Sequence, residues 1–399
     1  MDANSQAIIV VGGGLVGATT ALSLAQSASR TQVTLIDAAP APAVSLPAGF
    51  DPRVVALNTA SYNDLQRLGI WPQVSRHCAY QHMKVWDGQG TGSLSFSAAD
   101  THSHELGHIV ENRLLVLALW RALEQLPNVR LLPHTRVEAL QLADRQRSLG
   151  EVTLNSGETL AAPLILAADG AQSPLRQLAG IRTRHWSYGQ TAIVTSVQTE
   201  LPHQHTAWQR FDTQGPLAFL PLAEPSQCFS SIVWSLDEAA AQAVMTMDDP
   251  TFCQALGRAF EQRLGAVLHT DARVAIPLHQ CHAVQYYLPG FALLGDAAHS
   301  IHPLAGQGVN LGLADARVLC AEIQRALVRG IPLGHSAILA RYQRQRMGHN
   351  LAAMAAMEGL KRLFGQRSLG VGLLRNLGIQ QVAQWPWLKQ QFMRMAQGD

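Results

Sequence analysis

Ile8-Ile9-Val10-Val11-Gly12-Gly13-Gly14-Leu15-Val16-Gly17 is an apolar run that ends in a glycine-rich turn, with Ala18, Ala21, Leu22 and Ala25 following at helical spacing. The run predicts a buried parallel strand that delivers the chain into a helix. Gly12 permits the tight turn, Gly14 lets the backbone approach a pyrophosphate, and Gly17 lets helix and strand pack closely, with phosphates at the positive end of the helix. A second strand, expected over Gln32 to Ile36, ends in Asp37, whose carboxylate can accept hydrogen bonds from ribose hydroxyls. Strand, turn, helix and acid together predict an α/β, Rossmann-like domain that holds a dinucleotide. The fingerprint alone does not separate FAD from NAD.

Two later strands deliver acids in the same way. Leu164 to Ala168 leads into Asp169-Gly170-Ala171-Gln172-Ser173 and then Leu175-Arg176, and Phe291 to Leu294 leads into Gly295-Asp296-Ala297-Ala298-His299. The second continues through His302-Pro303-Leu304-Ala305-Gly306-Gln307-Gly308-Val309-Asn310 to Asp315, with a helix expected from Val309. Asp296 is placed to accept a hydrogen bond from a polyol chain, while Gly306 and Gly308 would let backbone amides press on an electron-rich ring. Between these segments, Gln190 to Val197, Trp208 to Phe211, Leu217 to Leu222 and Phe229 to Leu236 read as strands broken by turns, which predicts a separate antiparallel sheet. Trp208, Phe219 and Trp234 within it have two readings, plain core or contacts to a ring or prenyl chain.

In this order the three acid-bearing segments resemble the group A flavoprotein monooxygenases, and the run from His302 to Asp315 is similar to the signature of the ubiquinone-biosynthesis hydroxylases. The likeness extends to Asp51–Leu57, Gly107–Arg113 and Gly215–Leu222 and loosens towards the C-terminus. The resemblance implies a para-hydroxybenzoate hydroxylase-like fold, with a discontinuous FAD-binding domain (1–75, 100–182 and 280–335), an antiparallel-sheet substrate domain (76–99 and 183–279) and a C-terminal helical region (336–399). It implies that Gly12, Gly14, Gly17 and Asp37 hold the ADP half of FAD and that Arg53 and Arg113 lie along the cofactor. The loop at Asp169 would meet both FAD and visiting NAD(P)H. Asp296 would bind the ribityl or pyrophosphate region, and Gly306, Gly308, Val309 and Asn310 would lie against the isoalloxazine. Gln172 stands where many relatives carry Asn.

Catalysis would then fall to the flavin-side loop at Pro303, Leu304 and Gly306, with no acid or base residue assigned. In such enzymes NAD(P)H and O2 generate a flavin hydroperoxide, and the protein supplies a dry pocket, backbone donors and a rigid hold on the ring. The implied substrate is a polyprenylated phenol. Two alternatives stand beside it: hydroxylation of another small aromatic compound, or a non-catalytic flavoprotein that serves as an assembly factor.

Composition bounds these readings. The 399 residues are 47% hydrophobic and 15% charged, enough for a large core, and a net charge of +2 gives no broad basic field for nucleic acid. Five scattered cysteines, without a C-x-x-C pair, suggest neither a disulfide framework nor a thiolate metal site. His299 and His302 have a ligand-like spacing but no third partner, so no metal is expected. The N-terminus shows no signal-peptide pattern and no stretch is apolar enough to span a bilayer, so a cytoplasmic protein, peripheral to the membrane at most, is expected. No second glycine fingerprint marks a reductant domain, so NAD(P)H must visit and leave. From Arg341 onward nine Lys or Arg face only Glu358 and Asp399, with Leu351, Met354, Trp385, Trp387 and Phe392 interspersed. That tail reads either as a helical cap or as a basic, amphipathic contact with a membrane surface or a biosynthetic complex, and oligomerisation is left open.

Overall fold

Ala7–Val11 lies inside a six-stranded sheet in a computed structural model, which describes residues 6–27, 30–43, 49–144, 147–300 and 307–365. The strand order is Tyr287–Leu288, Phe291–Leu293, Leu164–Ala167, Ala7–Val11, Gln32–Ile36, Val129–Leu132. All neighbours are parallel except the short edge strand Tyr287–Leu288. Ile8, Val10, Leu35, Leu164, Ile165 and Phe291 are fully buried, as expected for strands covered on both faces. Three strands, those ending before Gly12, Asp169 and Gly295, therefore lie side by side with their carboxyl ends together, where ligands bind in open α/β sheets. The helices Leu15–Ser27 and Gln307–Val328 cross close together, because Gly312 lies against Val16: a Cβ on Gly312 would sit 2.6 Å from Val16 Cγ2.

The second large element is a nine-stranded sheet with the path His299–Ser300, Val274–Ala283, Thr183–Thr199, Phe229–Asp237, Leu217–Pro221, Thr206–Phe211, His82–Asp87, Ser93–Ser97, and Val267–Thr270 pairs with Thr183–Thr199 off that path. The sequence predicts an antiparallel sheet; the pairing of Thr206–Phe211 with His82–Asp87 is parallel, because His82–Asp87 arrives from another part of the chain. A small sheet of Val54–Asn58, Gly107–Glu111 and His77–Tyr80 connects the two, and its Ala56 and Ile109 pack on Ala207, Leu220 and Leu222 of the large sheet. A second small sheet holds Val137–Gln141, Gly150–Leu154 and Thr159–Ala162.

Alternation along the large sheet divides its side chains between two faces. Ile193, Val197, Ile232, Leu236, Leu217, Phe219 and Trp208 face the helices Glu238–Met245 and Asp249–Ala259, where Phe219 stacks on Phe260 with ring centroids 3.8 Å apart. Trp234 packs on the same side, beside Phe252. Of the two readings of Trp208, Phe219 and Trp234, plain core is the one the structure bears out: they pack under the helices, on the face turned away from the small connecting sheet.

Two buried histidines give the fold a pH signature. His203 is satisfied as a neutral ring, with Nδ1 accepting from His205 N at 3.1 Å and Nε2 donating to Leu222 O at 3.2 Å, and burial lowers it to about 4. Burial, then the charges of His299 and Arg184, also lowers His282 to about 4. As pH falls through 6.5 the unfolded chain binds protons at these sites and the folded chain does not, so stability declines from there down to about pH 4. Between pH 7 and pH 5 each histidine should remove about 2 kcal/mol. Urea unfolding at the two pH values measures this, and equal free energies would contradict it.

Candidate functional site

The turn after the first strand is closed by contacts that leave little freedom. Gly12 has φ +106°, and a Cβ there would lie 2.2 Å from Ala168 O; a Cβ on Gly17 would lie 1.8 Å from Gly12 O. Gly14 differs: it is exposed, and a Cβ on it would meet nothing within 4 Å. The fold itself therefore explains glycine at 12 and 17, whereas at 14 it leaves an open approach to the backbone in front of the helix Leu15–Ser27. Asp37 braces this turn, with one carboxylate oxygen accepting from Gly13 N and the other from Ala39 N at 2.6 Å. Trp120 Nε1 donates to Gly13 O at 2.8 Å. Each Asp37 oxygen keeps a further lone pair for a ligand hydroxyl.

The other two acids lie on the side of this turn opposite Asp37 and differ from one another. The Asp169 carboxylate is occupied within its own loop, accepting from Ser173 Oγ at 2.5 Å and Leu175 N at 3.0 Å, and burial raises its pKa despite these bonds. Asp296 is exposed yet surrounded by enough chain that burial pushes its carboxyl upward, while His299 and Arg53 pull it back. Asp296 thus occupies an open-topped depression with the exposed Arg53 as its nearby cation. Arg176, quoted in the sequence pattern but given no role there, joins the two loops: it is buried, and its guanidinium donates to Ala297 O at 2.8 Å and Ala171 O at 2.9 Å.

Behind Asp296 is a cluster that the sequence reading missed. Asp315, fully buried on the helix Gln307–Val328, accepts from Gly295 N at 3.2 Å, His299 Nε2 at 2.5 Å, Arg346 Nε at 2.7 Å and Asn350 Nδ2 at 3.2 Å. Burial alone would raise the Asp315 carboxyl, but the charges and hydrogen bonds of His299 and Arg346 outweigh it and hold it below the usual range. The acidic loop, the helix Gln307–Val328 and the helix Ser336–Gly365 are thereby locked together.

Arg113 lies against the loop before Arg53, its guanidinium donating to Gly49 O and Glu111 Oε2, each at 2.7 Å. Asn310 binds protein at both ends of its amide: Nδ2 donates to Ala56 O at 2.8 Å and Oδ1 accepts from Asn58 N at 3.1 Å. It fixes the first turn of the helix Gln307–Val328, with Gly308 and Val309, against the strand that follows Arg53. Pro303, Leu304 and Gly306, with His302, lie outside the described residues, as does the tail beyond Gly365. Gly12, Gly14, Gly17, Asp37, Asp169 and Asp296 all belong to four neighbouring strand ends, those of Phe291–Leu293, Leu164–Ala167, Ala7–Val11 and Gln32–Ile36. Among the described residues no three His, Cys, Asp or Glu side chains are grouped as metal ligands.

The surroundings fit a dinucleotide, and the comparisons agree. A family model described as FAD binding domain matches residues 5–357. The chain is 38% identical over 394 residues to the 3-demethoxyubiquinol 3-hydroxylase of Escherichia coli (strain K12), covering 98% of each protein. It is 36% identical over 392 residues to the ubiquinone hydroxylase UbiL of Rhodospirillum rubrum, covering 98% of this chain and 89% of that protein. Among solved structures, PqsL of P. aeruginosa in complex with 2-aminobenzoylacetate superposes with a TM-score of 0.77 at 23% identity, over 93% of this chain and 99% of that one, a likeness of fold.

Proposed function

Because the chain belongs to the FAD binding domain family, and within it to the hydroxylases of ubiquinone biosynthesis, we propose that it binds FAD at the Gly12–Gly17 turn and hydroxylates the ring of a polyprenylated phenol, using NAD(P)H and O2. The observation that carries the cofactor assignment is Gly14, a glycine that no contact within the chain requires and that leaves the backbone open at a helix N-terminus. When bound, FAD supplies the redox chemistry, accepting reducing equivalents from NAD(P)H and activating O2. The chain's own residues position and shield. Gly12, Gly14 and Gly17 shape the phosphate approach, Asp37 takes the ribose, and Arg53 with Asp296 takes the middle of the cofactor. Gly308, Val309 and Asn310 set the start of the helix Gln307–Val328, against which the isoalloxazine would lie, and the resemblance assigns the flavin-side role to Pro303, Leu304 and Gly306. The face of the large sheet turned towards the small connecting sheet would help exclude water from the ring.

The resemblance to ubiquinone hydroxylases supports a water-insoluble substrate, and we extend the proposal to its delivery. The helix Ser336–Gly365 exposes Leu351 and Leu363, and the basic residues from Arg341 onward would favour an anionic membrane surface or a biosynthetic complex. Among the described residues no helix is long and apolar enough to cross a membrane.

The test is a visible spectrum of the purified protein before and after NADPH, with and without a prenylated phenol. Flavin bands that bleach faster with the phenol are expected; a protein that cannot be loaded with FAD would refute the proposal. Asp296→Ala should lower FAD affinity by about tenfold or more, the value of a charge-assisted contact. A variant titrating with FAD like the parent would remove Asp296 from the site.

A further inference from the structure

Ser196 and Ser231 stand directly opposite each other on the paired strands Thr183–Thr199 and Phe229–Asp237. Both residues are almost wholly buried, at 2% and 1% exposure, and among the described residues neither hydroxyl has a hydrogen-bond partner. Two adjacent unsatisfied hydroxyls are unusual in a protein interior, where buried polar groups are paired. Their face is fixed by register. Ile193, Val197 and Ile232 belong to the helix-side core, so Ser196 and Ser231 lie on the opposite face. Leu220, paired with Ser231, packs on that face against Ala56 and Ile109 of the small sheet that follows Arg53. Phe229 on the same strand meets Phe50, with ring centroids 5.8 Å apart. The serine pair is thus placed between the large sheet and the loop leading into Arg53.

The chemistry of this patch is neutral. The next rungs are Val194 with Val233 and Ala192 with Ser235, none of them charged. The ionisable groups at its end are of both signs: Asp271 donates its backbone N–H to Ser196 O at 2.9 Å, a Cβ on Gly49 would be 3.9 Å from its Oδ2, and Arg76 and Arg113 both donate to Gly49 O. Two hydroxyls can each donate to or accept from an oxygen.

We infer that Ser196 and Ser231 form a specificity subsite that takes an uncharged oxygen substituent of the substrate ring, a hydroxyl or methoxy group. The inference rests on the hydroxylase reading and deepens it. Serine hydroxyls kept without an internal partner cost the free protein stability and are repaid only when a ligand oxygen meets them.

The test uses the FAD-loaded full chain and its Ser196→Ala and Ser231→Ala variants. The probes are a short-chain prenylated methoxyphenol, the same phenol without the methoxy group, and a benzoate analogue, followed by flavin fluorescence. Removing a hydroxyl should raise the Kd for the methoxyphenol about tenfold and leave the Kd for the phenol lacking that oxygen within about twofold. The melting temperature without ligand should stay the same or rise, which a structural serine would not allow. The serine substitutions should leave the Kd for the benzoate, which lacks the ring oxygen substituent, within about twofold. Unchanged methoxyphenol affinity in both variants, or a lowered melting temperature with affinity lost equally for both phenols, would overturn the subsite while leaving the hydroxylase reading intact. A parent enzyme that binds neither phenol would overturn both.

Discussion

Gly14→Val is expected to give a folded protein that no longer holds FAD. A Cβ at this position meets no atom within 4 Å, so the fold has no steric objection to it, and the branched side chain would fill the space a pyrophosphate needs. Affinity for FAD should fall at least about 100-fold, equivalent to about 2.7 kcal/mol. Gly17→Val should behave differently, because its Cβ would lie 1.8 Å from Gly12 O and the first strand and helix would have to separate. Flavin absorbance after reconstitution, together with thermal melting by circular dichroism, distinguishes the two. If Gly14→Val bound FAD like the parent, or melted as early as Gly17→Val, the assignment of the open glycine to the cofactor would be wrong.

Asp315→Ala is expected to lower the unfolding free energy by about 3–5 kcal/mol, the cost of leaving buried charged partners uncompensated. Four donors converge on this fully buried carboxylate, and the substitution orphans His299 Nε2, Arg346 Nε and the Gly295 amide together. Because Gly295 precedes Asp296, FAD occupancy should fall with stability. Urea unfolding checks the value, and a loss below about 1 kcal/mol would show that the cluster is not the lock described for the three elements.

The parts of this molecule that were legible in the sequence are those whose physical cause is local. Gly12, Gly17 and Asp37 act within one strand–turn–helix unit, and the three strands ending at Gly12, Asp169 and Gly295 could be read because parallel buried strands are short apolar runs. Register across the large sheet was not legible. Period-two alternation separates Trp208 and Phe219 from their neighbours, but nothing within those strands tells which face receives the helices carrying Phe252 and Phe260. The parallel pairing with His82–Asp87 has the same origin, a partner from far away in the chain. Buried ion pairs were missed for a related reason. Arg346 reads as one more basic residue of a charged tail until the helix Ser336–Gly365 folds it onto Asp315, and Arg176 gains its role only when Ala297, distant in sequence, comes beside it.

The most direct test of hydroxylation at this site is isotopic. The FAD-loaded protein is supplied with NADPH, a prenylated phenol and labelled dioxygen, and the product is analysed by mass spectrometry. One labelled oxygen atom in a new ring hydroxyl is the predicted result. NADPH consumption with peroxide as the sole oxygen product, across prenylated and soluble phenols alike, would contradict it.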